Sequence, residues 1–356
     1  MAQLLHEIAW GEPIFPVVPD PEWEHRVKSE LGMVSDYLKR LSPIPWVREA
    51  ALIFPRIRVT TIPQSMQRVG ELVIAQENAC RFCYGVAKST LRLYGHSDKL
   101  IGKIERQMHL AELDDKERAF IRYCRDLARS RPRPPKVEVD RLRQLGYDDT
   151  QIADITFMVA GNCFMNRLAT FTSCPPVKMI ETMSGKWMRF MWPLLRRRMN
   201  KWAIRSIPLD EDDDSFPAVI KVLRGLPGGG ALRRALQGAF ASDVLSSELK
   251  VLMFAVVART LECQFCQTET KAMAADLGIP AEAFDEALIT LSSPRLDTDE
   301  LQILEWTRET ISYQNAEIQE RVRALTQQID PVKVLEAVGI SALANTVVRI
   351  GVLLDS

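Results

Sequence analysis

Cys80-Arg81-Phe82-Cys83 and Cys263-Gln264-Phe265-Cys266 carry one pattern written twice, 183 positions apart (80 to 263). Gly95 and Gly278 keep that offset beyond the pattern, as do Tyr123 and Trp306, and Arg125 and Arg308. An offset shared over more than forty residues without an insertion points to a duplicated unit, each copy with one C-x-x-C.

Outward from the first pair, apolar residues recur at helical spacing from Gln64 to Leu93 (Val69, Leu72, Val73, Val86, Leu91), with no Pro. This predicts one long helix, or two nearly collinear ones, with the Cys pair inside or at a break and Gly95 as C-cap. A helix over 97–113 follows. Asp114-Asp115 can cap another over Lys116–Arg129, whose Phe120, Tyr123, Cys124 and Leu127 form one apolar stripe. The run Ser130–Pro135 reads as a loop, Val137–Leu145 as a helix stopped by Gly146, and Thr150–Thr172 as a helix apolar nearly all round and so central. The second copy repeats the order with Ser246–Leu277, Asp297–Gln314 and Pro331–Leu354. No run alternates as strands do. The fold class is therefore all-α, two tandem helical domains related by internal duplication.

Four segments result: an N-terminal arm over 1–45, with Pro13, Pro16, Pro19 and one helical stretch Pro21–Leu41; a first domain over 46–177; a linker over 178–214; and a second domain over 215–356. In the linker, Trp187, Phe190, Trp192 and Trp202 alternate with Arg189, Arg196, Arg197, Arg198, Lys201 and Arg205, and the acidic run Asp210–Asp214 follows. Such a segment can rest on a membrane surface or a partner. Pro193, which would interrupt the helix, and the nearby acids favour an inter-domain helix, its Trp residues packed between domains and its Arg residues paired locally.

The length of 356 residues suits two domains of roughly 150 residues. Lys+Arg and Asp+Glu both number 46, which argues against a chain that coats nucleic acid. Met1–Trp10 lacks a basic, then apolar, leader, and no run approaches 18 apolar residues, so a cytoplasmic location is expected. There, paired C-x-x-C motifs are redox-active or metal-binding more often than structural staples. Of the seven cysteines, Cys124, Cys163 and Cys174 have no partner at the 183 offset and read as small buried hydrophobes.

Two Cys at i and i+3 on a helix share a face, and a nearby helix N-terminus favours a thiolate. One thiolate can attack a peroxide or disulfide while its neighbour closes the ring. Four thiolates could instead hold structural zinc, although zinc knuckles stand about 15–20 residues apart, not 183. A buried structural thiol pair is the third use.

The C-x-F-C pattern in an all-α repeat, a small-residue helix before it, and the closing run Phe164-Met165-Asn166-Arg167-Leu168-Ala169 together resemble the carboxymuconolactone decarboxylase / alkylhydroperoxidase AhpD-like superfamily. The resemblance covers about 45–176 and again about 215–355, where Ala344-Asn345-Thr346-Val347-Val348-Arg349 is a weaker closing match. It implies tandem AhpD-like domains with redox-active disulfides, Cys83 and Cys266 attacking, Cys80 and Cys263 resolving. It also implies a hydroperoxide or disulfide substrate, an external thiol reductant, no bound organic cofactor or metal, and a homo-oligomer (trimer or dimer). The peroxidase branch adds a relay of His and Glu, and this chain departs from it. The His positions hold Ala87 and Thr270, and the Glu positions Arg68 and Val251. Glu71 and Glu248, each three residues from the family position, are the candidate catalytic carboxylates, with Glu77, Glu262 and Glu269 also near. His6, His25, His96 and His109 all lie in the N-terminal third, so the second copy has none of its own. General-base help to a thiol is worth roughly 10²–10⁴-fold, so its loss implies slow peroxidase activity, another substrate or no catalysis. The alternatives are a degenerate scaffold or binding protein and a lactone decarboxylase-type lyase, whose chemistry does not need the Cys pair.

Overall fold

A computed structural model of the chain describes residues 8–106, 113–129, 136–176, 182, 184–208 and 215–354. Among them the only extended pairing is an isolated bridge of Ile57 with Ile204, so the fold is all-α. His6, His109, the loop 130–135 and the acidic run 210–214 lie outside the described residues.

The N-terminal arm is two helices rather than one. α1 (Pro21–Leu31) stops where Gly32 takes φ +74° and its N–H bonds Lys28 O, and α2 (Asp36–Arg40) starts on the Ser35 cap. After α3 (Pro45–Ile53) come α4 (Gln64–Glu77) and α5 (Arg81–Leu93), which pack against each other instead of running collinear. α6 (Asp98–Arg106), α7 (Asp115–Ala128), α8 (Lys136–Gln144) and α9 (Asp149–Phe171) complete the first half. Capping boxes start α7 (Asp114 with Glu117) and α9 (Asp148 with Gln151), each satisfying two end amides reciprocally.

α10 (Trp192–Trp202) is the linker helix, and Pro193 stands in its first turn, where a missing N–H costs nothing, so it opens the helix rather than interrupting it. No α10 residue is fully buried, so the Trp residues of this helix are not sandwiched between the halves as expected. The helix instead lies on the first half: Asn200 Oδ1 accepts from Gln64 (3.2 Å) and Tyr94 (3.3 Å), and Arg198 donates to Leu31 O (3.1 Å) while stacking over Trp202. Phe190 and Leu194 face outward, 74% and 59% exposed.

The second half runs α11 (Pro217–Lys221), α12 (Pro227–Ala241), α13 (Ser247–Thr260), α14 (Gln264–Asp276), α15 (Ala281–Thr290), α16 (Thr298–Glu309), α17 (Asn315–Gln328) and α18 (Pro331–Ile350). α3 to α9 are thus matched in order by α12 to α18. The most extensive helix pairing is α9 with α18, and one apolar core runs through both, from Phe157 and Phe164 to Val338 and Val347. Among the described residues one helix, Pro331–Leu353, is long and apolar enough to cross a membrane, and its apolar stretch lies wholly inside this core.

Two buried arginines stitch the halves reciprocally. Arg167 of α9 donates to Thr310 O and Ile311 O after α16, and Arg349 of α18 donates to Leu127 O in the last turn of α7. Each places its cation at a helix C-terminus, where the dipole is negative. Burial, then repulsion from Arg167, pushes the Arg349 pKa down to about 10, so it stays charged at neutral pH.

The close approach of α18 to α3 depends on Gly339. A Cβ there would meet Val47 Cγ2 at 2.4 Å and Trp46 Cη2 at 2.9 Å. Gly339→Ala is therefore expected to destabilise the chain by about 1–3 kcal/mol through overpacking, read as a lower urea midpoint with unchanged slope.

Candidate active site

Each Cys pair stands at a turn between packed helices, and the two turns are alike in detail. α4 ends at Glu77, Asn78 caps it, and Ala79 takes φ +48°. Cys80 N then bonds Ala75 O (2.9 Å) and Ala79 N bonds Gln76 O (3.0 Å), the two bonds of a Schellman turn. α13 ends the same way: Glu262 has φ +57°, Cys263 N bonds Ala258 O (2.9 Å) and Glu262 N bonds Arg259 O (3.2 Å). A β-carbon in the left-handed region costs about 1–2 kcal/mol, so both turns hold local strain just before the first Cys.

Each first Cys is then the N-cap of the next helix. Cys83 N–H donates to Cys80 Sγ at 3.3 Å, and Cys266 N–H donates to Cys263 Sγ at 3.3 Å. The two sulfurs of a pair therefore share one N-terminal turn, a geometry that closes to a disulfide with little backbone movement. All seven cysteines are unbridged. Cys80, Cys263 and Cys266 are fully buried, and Cys83 is the least buried residue of the four.

Burial, then the neighbouring Cys80 thiol, pushes the Cys83 pKa well up, and the nearby Asn166 side chain opposes this. The titratable groups that face it are Cys80, Cys174 beyond α9 and Tyr37 of α2; the charge of Arg40, also on α2, bears on Cys174. The thiolate is the reactive form, so a raised pKa moves reactivity to higher pH. Alkylation of Cys83 is expected to keep accelerating above pH ~9, past the ordinary thiol range near 8.5, as a rate–pH profile of the mapped peptide would show.

The structure does not bring the candidate carboxylates to the thiols. Glu71 accepts from Arg68 Nη1 on both oxygens (2.7 Å each), and Arg68 stacks toward Tyr94 at the far end of α5. Tyr94 is eleven residues beyond Cys83, about 16 Å along the helix axis. Glu248, in the first turn of α13, is held by Ser293 Oγ (2.8 Å) and by Arg295 (2.6 Å), which also bonds Gly278 O and Leu277 O past the end of α14. Glu77 pairs with Arg125 and Arg129, and Glu262 forms the strained turn. Glu269, one turn beyond Cys266, is half-buried, and burial raises its pKa. His96 follows α5 at the end opposite Cys83. Both relay positions are buried: Ala87 is packed, and Thr270 donates to Cys266 O (2.9 Å). Among the described residues no cluster of His, Cys, Asp and Glu is arranged to hold a metal ion, so the two Cys pairs do not converge on one zinc site.

Three groups beside Cys83 escape the sequence reading. Cys174 is the residue after a third turn of the same kind: Ser173 has φ +51° and Cys174 N bonds Ala169 O (2.8 Å), which brings this thiol into the core cluster of Cys80. Tyr37 packs its ring 5.4 Å from Phe82, within the first motif. Asn166, part of the closing run quoted above, faces the Cys83 thiol. The second half also covers this turn, since Tyr313 Oη donates to Asn78 O (3.5 Å) and Asn315 Nδ2 donates to Ala79 O.

No family model matches the chain, and no curated protein matches it. Among solved structures it is similar to a crystal structure described as an alkylhydroperoxidase AhpD core, an uncharacterized peroxidase-related protein from Ralstonia eutropha JMP134. The identity is 17% and the TM-score 0.43, and the match covers 49% of this chain and 98% of that one.

Proposed function

We propose that the chain is a thiol–disulfide oxidoreductase of AhpD-like type, built from two tandem copies, that reduces hydroperoxides through a C-x-x-C dithiol. The observation that carries this reading is the arrangement of the first pair: a half-buried Cys83 with a fully buried Cys80 behind it on the same helical turn. Two thiols on one helical turn, the outer one less buried than the one behind it, suit a two-step peroxide reduction in which one attacks and the other resolves. The repeated turn, with its left-handed Ala79 and Glu262, supports the duplication. The partners this reading requires are a hydroperoxide, or a disulfide as the other candidate oxidant, and an external thiol reductant.

A scaffold role is the second reading, favoured by the buried Ala87 and Thr270 at the relay positions and by Glu71 and Glu248 being tied to arginines. The test is consumption of an organic hydroperoxide by the chain with a small dithiol as reductant. Turnover above the protein-free rate is expected; none would leave the scaffold.

A further inference from the structure

The Cys80–Cys83 site holds two polar side chains that the protein itself leaves unused. Tyr37 is buried and its hydroxyl has no hydrogen-bond partner. Asn166 is 1% exposed, and neither its amide nitrogen nor its oxygen has a conventional hydrogen-bond partner. A buried polar group left without a partner is unfavourable, so an unpartnered one calls for an explanation. Both bear on the Cys83 thiol: Tyr37, of α2, packs its ring on Phe82 within the motif, and Asn166, of α9, a helix packed on α5, faces the Cys83 side chain.

The second half lacks both. Asp36–Pro45 recurs as Ala218–Pro227 at an offset of 182 (36 to 218), with Lys39 and Lys221, Leu41 and Leu223, and Pro45 and Pro227 in register. The same offset relates Arg167 to Arg349 at the close of each half. In that register Val219 stands for Tyr37 and Val348 for Asn166, and Cys266 there is fully buried.

We propose that Tyr37 and Asn166 are catalytic residues of a hydroperoxide-reducing site at Cys83, replacing a charged relay with two neutral groups, and that the Cys263–Cys266 pair does not turn over. This rests on the redox reading of Cys80 and Cys83. The thiolate of Cys83, held by the Asn166 amide, attacks the terminal oxygen of a neutral hydroperoxide. An S–O bond forms and the O–O bond breaks; the leaving alkoxide, hydrogen-bonded by Tyr37, takes up the proton the thiol released and departs as the alcohol. Cys80 then attacks the Cys83 sulfur, an S–S bond forms, and the hydroxyl leaves with the Cys80 proton as water. Two thiols and one hydroperoxide give one disulfide, one alcohol and one water, and an external dithiol resets the pair. Burial holds the Tyr37 phenol protonated, so it acts as a donor throughout.

The test is single-turnover oxidation of the reduced chain by a small organic hydroperoxide, quenched by alkylation and mapped by mass, in wild type, Tyr37→Phe and Asn166→Val. Disulfide formation at Cys80–Cys83 is expected to slow about 10-fold in Tyr37→Phe and about 10²-fold in Asn166→Val, the range for a lost transition-state donor. Alkylation of Cys83, compared as the full rate–pH profile of each protein so that a shift in thiol pKa is separated out, should change less than about two-fold in its high-pH limb if the packing around the thiol is intact. A fall in oxidation relative to alkylation is the signature a merely structural role would not give. An unchanged ratio in both variants, or wild-type oxidation of Cys263–Cys266 as fast as of Cys80–Cys83, overturns the assignment while the redox reading stands. No disulfide at either wild-type pair overturns both.

Discussion

Cys83→Ser is expected to reduce hydroperoxide consumption to the protein-free rate, whereas Cys266→Ser leaves it near wild type. The asymmetry follows from exposure and from neighbours. Cys83 is half-buried beside the buried Tyr37 hydroxyl and Asn166 amide, while Cys266 is fully buried. Serine keeps the shape of the first turn of α5 but is a far weaker nucleophile than a thiolate, so the first step is lost and not merely slowed. Cys80→Ser should behave differently again: without reductant, Cys83 still reacts once, stops at the sulfenic acid and consumes one equivalent, forming no disulfide with position 80. Stopped assays with the three variants, run with and without a dithiol reductant, distinguish the roles. Equal loss in Cys83→Ser and Cys266→Ser would argue against a single working site.

The largest stability effect is expected at Glu336. Its side chain is fully buried on α18 and accepts from Trp46 Nε1 (2.9 Å) and Leu245 N (2.8 Å), with Lys250 Nζ at 3.9 Å. Lys250 is itself fully buried and also donates to Ser242 O. Glu336→Ala removes one acceptor from three donors and takes away the stronger-acting of the two carboxylates, Glu336 and Asp243, that compensate the buried Lys250 ammonium. Breaking a buried pair from one side costs about 3–5 kcal/mol. Glu336→Gln keeps an acceptor oxygen and should cost less. Burial already lowers the Lys250 pKa, with Glu336 opposing, so removing Glu336 depresses it further. A lysine depressed in the folded state binds fewer protons there than in the unfolded chain, so its penalty is relieved as pH rises toward the ordinary lysine range. Urea unfolding of Glu336→Ala at pH 7 and pH 9.5 should show partial recovery at the higher pH.

Much of the fold was legible because its punctuation is chemical. Gly95 and Gly278 take φ +93° and +70° as C-caps, and Asp114, Asp148 and Asp297 cap the helices they precede. The turn before each Cys pair was not legible. Its left-handed residues are Ala79 and Glu262, where Gly or Asn is the usual signal, so the pattern reads as one helix or two nearly collinear ones. Where Glu71 and Glu248 point was not legible either, because it is set by their ion pairs with Arg68 and with Arg295, the latter from a later segment of the chain. Tyr37 was beyond reach for another reason: it is delivered by tertiary packing of α2 onto Phe82, which no local periodicity encodes.

The most direct test of the central claim counts thiols in the wild-type chain. The protein is reduced, exposed to a slight excess of organic hydroperoxide, unfolded, alkylated and weighed, and the alkylated peptides are mapped. Two of the seven cysteines, Cys80 and Cys83, are expected to become protected, while Cys263 and Cys266 stay alkylatable. Seven alkylated cysteines after peroxide, as many as before it, would contradict the redox assignment.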